Sequence, residues 1–424
     1  MDLVFLILLA LSYGILGIFM LHRKPDGKYK CMLFGVGYLF RLIVVALIYC
    51  YSSDPYGSLL GKDEIFYIRL AETHFHSGVI PFDLLISRNY GYVFFDWIHM
   101  YFFNSTNILF PVVTNSFLST ITFFMISDEI DSILDGNTGS SRTLLAILVL
   151  FPDMILVGAQ NLKDTLLLFV IVMYIKSIIA LTKNGDILMS TTCAIIASYL
   201  TFTLRFYISF VQVFLLIVVI LKKYRFSIKQ ILLLPLIVVT VLFVSTRVPS
   251  IARELELIKS LGITRIFDDY FVFTQARDGD YFLRGVVKGA TGYSPKILVI
   301  PTGSIILTPY FVKIFSPPLY VQYEVLGAGV LWGYFLFFLL AALKIGTKSV
   351  EEKVMFCFSV LVMAFHSFTP YLADGRHRIS ILWALIILAF SESTNHTKLI
   401  RTVVIIFSLV LMLILQLIGD VVFS

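Results

Sequence analysis

The chain has 424 residues, 58% of them hydrophobic and 14% charged, with a mean hydropathy of +0.91 and a formal net charge of +6. These values lie outside the range of soluble domains and define a polytopic membrane protein, so the positive balance is read as topology and not as affinity for nucleic acid. Cys31, Cys50, Cys193 and Cys357 stand singly in apolar runs with no C-x-x-C spacing and no clustered histidine, which implies neither a disulfide framework nor a zinc site.

Residues 3–21 are long enough to cross a bilayer, and only Met1 and Asp2 precede them. Without a small-residue cleavage site this run predicts a first transmembrane helix, not a removed signal peptide. Further apolar runs at about 31–51, 107–126, 143–160, 165–182, 187–203, 206–221, 230–246, 322–343, 354–371, 379–391 and 402–422 bring the expected number of spans to roughly twelve. The expected fold is an all-α polytopic bundle, one membrane domain over residues 1–424, with two large extracytoplasmic loops.

Lysine and arginine set the orientation, because short basic loops are poorly translocated. If the loop with Arg23, Lys24, Lys28 and Lys30 is cytoplasmic, alternation puts three more basic groups on the same side: Lys222 to Lys229, Lys344 to Lys353, and Lys398 with Arg401. Both termini and the long segments 52–106 and 247–321 then face outward, with the short turns at Asn161 to Asp164, Arg205 and Asp374 to Arg378. The acidic loop 127–142 dissents through Asp128, Glu129, Asp131 and Asp135, but acids carry little topological weight.

Asp63 and Glu64 sit in the first outer loop, at the start of a mixed apolar and charged stretch that suits a short interfacial helix. Carboxylates at a helix start are favoured by the dipole, which explains the pair without any function. The functional alternative makes one of them a base or a metal ligand at the membrane surface.

Asp63-Glu64 with Tyr67 and Ala71 resembles the D-E-x-x-Y-x-x-x-A pattern in the first outer loop of C-type (GT-C) integral-membrane glycosyltransferases. Two further stretches are similar to segments of that family and its bacterial relatives: the aromatic run Gly91 to Tyr101 followed by a helix containing Asn115, and Phe151-Pro152-Asp153 followed by Asn161-Leu162-Lys163-Asp164-Thr165. The likeness covers mainly residues 60–180 and departs in having one extra span before the acidic loop. It implies inverting transfer of a sugar from a polyprenyl-phosphate carrier to a glycan, lipid or protein acceptor on the outer face of a bacterial inner membrane.

That reaction needs a base for the acceptor hydroxyl and cations for the leaving phosphate. Asp63 is the candidate base, with Glu64 supporting it. Lys163, Arg205, Arg376 and Arg378 are the candidate donor-phosphate ligands, each weighed against an ordinary helix-start, snorkelling or surface-anchoring role. Tyr67, Arg88, Tyr92, Asp164, Arg277 and His377 are the candidates for substrate contacts. Arg41 in the second span demands a partner inside the bundle, with Asp153 as the candidate, and an ion pair is the leading expectation. The second outer loop is a candidate lid or acceptor-binding segment. Its Asp268, Asp269, Asp278 and Asp280 lack an EF-hand register; no metal ligand and no certain cofactor follow, with a divalent cation left open. An O-antigen-type polymerase and a lipid-linked-sugar flippase or transporter remain the competing classes.

Overall fold

The computed structural model describes residues 2–51, 62–82, 90–183, 185–224, 333–366 and 375–423, and every regular element among them is helical. α1 (Asp2–His22) and α2 (Gly27–Tyr51) form an antiparallel pair. Tyr38 donates to the carbonyl of Ala10, and a Cβ at Gly17 would overlap the ring of Phe34, so that glycine sets how closely the two helices approach. Only Gly17 and Leu21 of α1 are buried; Leu3, Val4, Ile7, Leu8, Leu11 and Ile15 face outward. Such a face is stable against lipid and not against water.

α3 (Lys62–Ser77) and α4 (Gly91–Phe103) pack on each other in the first outer loop. α4 stops at Asn104, whose left-handed conformation at φ 46° returns its N–H to the carbonyl of Met100; asparagine tolerates that conformation better than most residues. α5 (Leu109–Met125) continues through α6 (Ser127–Ile133) as one apolar passage, longer than the 107–126 run expected. α7 (Thr138–Val149) and α8 (Pro152–Gly158) form a broken span bent by 46°. Pro152 stands at the restart, where its missing N–H costs nothing.

α9 (Lys163–Thr182) is the centre of the bundle, buried on almost every face and packed against α5, α8, α10, α12 and α13. α10 (Ile187–Tyr224) is a 38-residue run that a straight helix would extend to about 57 Å. Yet the ammonium of Lys223 donates to the carbonyl of Leu181 at 2.6 Å, only six residues before Ile187. The chain therefore folds back, and the non-helical residue Arg205 (φ −150°, ψ 90°) is the place where it does so. The two arms correspond to the separate runs 187–203 and 206–221 read from the sequence.

α11 (Phe335–Leu343), a 3₁₀ turn (Ile345–Thr347), α12 (Val350–His366), α13 (Gly375–Thr394) and α14 (Lys398–Phe423) complete the described chain. α13 is apolar all round from Ile379 to Phe390 and buried all round, as such a helix must be. Among the described residues five helices are long and apolar enough to cross a membrane, six if the bent pair is one span. The expected span at 230–246, most of that at 322–343 and the second outer loop lie outside the described residues.

One end of the bundle gathers basic side chains, many of them paired with carboxylates. Arg142 grips Asp26 through two bonds of 2.7 and 2.6 Å, and Lys24 pairs with Asp128 at 2.8 Å. Lys183 pairs with Glu351, while Lys348 bridges Glu352 and Glu392, which also holds Lys344. Three acids of the dissenting 127–142 segment are thus counter-charges: beside the Lys24–Asp128 pair, Lys30 lies 3.8 Å from Asp131 and Lys176 of α9 lies 3.8 Å from Glu129. Arg41 is fully buried, bonded to Ser119 Oγ at 3.0 Å and to the carbonyl of Gly37 at 3.0 Å. Its helix packs on α8, which carries Asp153.

Candidate functional site

The opposite end of the bundle holds a compact polar cluster built by the starts of α3, α4 and α9, the middle of α5 and the break in α10. Asp63 and Glu64 lie in the first turn of α3, where the dipole argument places them; their side chains lie outside the described part of the structure. One turn on, Tyr67 is buried, with the ammonium of Lys163 5.3 Å from its ring centroid. That geometry is a cation–π contact. Tyr67 also meets Tyr92 edge to face at 5.6 Å.

Tyr92 anchors a chain of hydrogen bonds whose direction can be counted. Asn115 Nδ2 donates to the Tyr92 hydroxyl at 2.6 Å and to the carbonyl of Gln160 at 2.9 Å. Because a carbonyl only accepts, the amide group of Asn115 has one consistent orientation. Tyr92 then donates to Asn161 Oδ1 at 2.8 Å, and Asn161 Nδ2 donates to Asp96 Oδ2 at 3.1 Å. Asp96, Asn115 and Asn161 are fully buried. Together they clamp residues 160–162, a stretch whose helix start at Leu162 has no side-chain cap of its own. Tyr92 was expected to touch substrate; its hydroxyl donates to Asn161 and accepts from Asn115.

Asp164, in the first turn of α9, pairs with Arg205 at the fold-back of α10, and Arg205 also donates to the Tyr207 hydroxyl at 2.9 Å. Both charges are nearly fully buried, so Arg205 is a bundle residue and not a group snorkelling to headgroups. Losing one member of such a pair strands a buried charge, at a cost of about 3–5 kcal/mol. Lys163 is by contrast partly exposed. Gly91 lets the start of α4 come up against Thr203, since a Cβ there would overlap the threonine side chain. Below this layer His99 joins α4 to α5. Its Nδ1 lies 2.7 Å from the carbonyl of Phe95 and must carry the proton, and its Nε2 lies 2.8 Å from Thr114 Oγ1. Burial pushes the imidazole pKa down and keeps the ring neutral.

Tyr67, Tyr92, Lys163, Asp164 and Arg205 therefore meet in one place. Arg376, His377 and Arg378 lie in the first turn of α13 and their side chains lie outside the described part. Glu392, near the other end of that helix, is in the charged belt, so the first turn is about 25 Å away, on the side of the polar cluster. Arg88 and Arg277 lie outside the described residues. Sequence reasoning named Asn115 and Asn161 only within the stretches that carry the resemblance, and gave no role in a site to Asp96, Asn115, Asn161 or Tyr207. The signal was there for the first three, as polar residues inside strongly apolar helices or at their ends. Among the described residues no group of three or more His, Cys, Asp or Glu could hold a metal ion.

Among the described residues the chain is all-helical, with five or six helices able to cross a membrane, as in a multi-pass membrane protein, a buried polar cluster at one end and a belt of paired charges at the other. Neither a family model nor a curated protein matches the chain.

Proposed function

We propose that the protein is an inverting, GT-C-like membrane glycosyltransferase. It would move a hexosyl or pentosyl unit from a polyprenyl-phosphate-linked donor to a glycan, lipid or protein acceptor on the outer face of a bacterial inner membrane. The observation that carries this reading is the meeting of Tyr67, Lys163 and the Asp164–Arg205 pair beside the helix whose first turn holds Asp63 and Glu64.

In the proposed reaction the Asp63 carboxylate takes the proton of the acceptor hydroxyl as its oxygen bonds to the anomeric carbon. The bond from that carbon to the phosphate oxygen breaks, and the electron pair leaves with the lipid phosphate. Glu64 orients the base. The partly exposed Lys163 is the first candidate to stabilise the leaving phosphate, and Arg376 and Arg378 are further candidates from α13. Arg205 has a different part: by neutralising Asp164 it fixes the start of α9 from which Lys163 projects.

The test is transfer by the reconstituted protein from a lipid-linked sugar donor. Asp63→Asn is expected to abolish transfer in a folded, inserted protein, and wild-type turnover would refute the base. Lys163→Ala should weaken apparent donor affinity by about tenfold, the loss of one charge-assisted contact. Product length separates single transfer from polymerisation, and passage of unaltered lipid-linked sugar would mark a flippase.

A further inference from the structure

α4 has its polarity reversed relative to a helix of a soluble protein. Tyr92, Asp96 and His99 turn inward, with Asp96 fully buried and His99 and Tyr92 bonded within the bundle. On its other side runs an aromatic stripe. Phe82, nine positions before Gly91, lies 6.4 Å from Phe94; Phe94 stacks on Trp97 at 5.6 Å and Trp97 on Tyr101 at 5.3 Å. Trp97 is buried, whereas Phe82, Tyr101 and Phe102 are 60%, 63% and 76% exposed, and Val79 and Ile80 are also exposed. Polar groups inward with these three rings outward is the arrangement that lipid selects and water opposes.

α4 is held against α5 at both ends: Tyr92 meets Asn115 and Phe103 stacks on Phe110 at 4.1 Å. With 13 residues, α4 is about 20 Å long, too short to span the roughly 30 Å apolar layer.

Its level is fixed by one bond. Ser105, just beyond α4, donates to Asp2 Oδ2 at 2.8 Å, and Asp2 begins the first span. Tyr101 and Phe102 therefore stand beside the point where Leu3, Val4 and Phe5 open the outward apolar face of α1. The stripe continues a surface that already faces lipid.

We propose that the face of Phe82, Tyr101 and Phe102, with half-buried Phe94 beside it, is a membrane-docking surface whose partner is the headgroup–acyl boundary of the outer leaflet. Amphipathic aromatic rings favour that level. The assignment stands apart from the proposed sugar transfer, since it uses only exposure, length and level.

The test uses the full chain in lipid nanodiscs with Phe82→Trp and Phe102→Trp introduced singly, and Leu3→Trp as the standard for a lipid-facing position. Phospholipids brominated in the upper acyl chain should quench the added tryptophan at both positions about as strongly as at Leu3, and several-fold more than acrylamide does. Quenching by acrylamide with no effect of brominated lipid would overturn the proposal by showing a water-facing stripe. Protection from both quenchers would overturn it by showing a protein cover. Native tryptophan emission from the unmodified protein, recorded under the same conditions, is subtracted. A conservative aromatic replacement keeps the ring at each position, and Phe102→Tyr with unchanged thermal stability would confirm that the site tolerates polarity at its rim.

Discussion

The two ends of the bundle solve the problem of charge near a membrane in opposite ways. At the belt end, charges are numerous, many of the cations are partly exposed, and some acids serve more than one donor: buried Glu392 holds Lys344 and Lys348, and buried Glu351 holds Lys183 and Ser132. At the cluster end, polar groups are few and buried, and they form single-file chains such as Asn115 to Tyr92 to Asn161 to Asp96. A redundant network with exposed cations loses little when one exposed member goes. A buried chain fails at its weakest link, because each lost partner strands another polar atom. The cluster end is therefore fixed in shape, a property required of a site and not of a topological signal.

The largest expected effect breaks the comparison directly. Asp164→Leu should destabilise the protein by about 3–5 kcal/mol through the stranded Arg205 charge. Adding Arg205→Met in the same chain should recover much of the loss, measured as thermal unfolding in detergent or nanodiscs. If the single change costs no more than Lys24→Ala at the exposed Lys24–Asp128 pair, the two ends are alike and the contrast fails.

A smaller effect is expected at Tyr92. Tyr92→Phe keeps the ring against Tyr67 but removes the hydroxyl between Asn115 and Asn161, at a cost of about 1–3 kcal/mol. If the chain positions Lys163, the apparent donor KM should rise while kcat changes less. Asn161→Ala should repeat that pattern; a loss confined to kcat would place Tyr92 at the reacting atoms and restore the substrate contact expected from the sequence.

Much of this contrast was legible in the amino-acid order. The basic loops announced one end, and the break at Arg205 announced a turn, because an arginine amid Tyr199 to Tyr207 is out of place in an uninterrupted span. The resemblance drew attention to residues 60–180, which hold Tyr67, Tyr92, Lys163 and Asp164, while Arg205 and Tyr207 of the same cluster lie beyond that stretch. What the sequence could not provide was pairing. Nothing local says that Arg205 would find Asp164 forty-one positions earlier, or that the acidic 127–142 segment would pair with Lys24 and Lys30 near the first turn and with Lys176 in α9. Nor does a tyrosine's place in a motif show whether its hydroxyl faces a ligand or a neighbouring amide. Those facts depend on helix packing, which local periodicity does not encode.

The smallest effect sharpens the comparison by pH, because the ends should yield in different windows. At the belt, the hydrogen bond from Arg142 holds the Asp26 carboxyl below the usual range. Burial pushes Glu351 and Glu392 upward, but hydrogen bonds from Lys183 and Ser132 to the first, and from Lys344 and Lys348 to the second, outweigh it and leave both lowered. For a carboxylate with a lowered folded pKa, the stabilisation is whole above its ordinary value near 4 and is lost as pH falls through the folded value. At the cluster, burial lowers the pKa of His99, so acid favours the unfolded chain already below about 6.5, the ordinary histidine value. Unfolding temperature should therefore fall in two stages on acidification. His99→Gln should remove the upper stage and leave the lower one, while Glu392→Gln should blunt only the lower. A single acid transition untouched by His99→Gln would mean that the buried imidazole is protonated at no cost, and the picture of a dry, inflexible cluster would have to be given up.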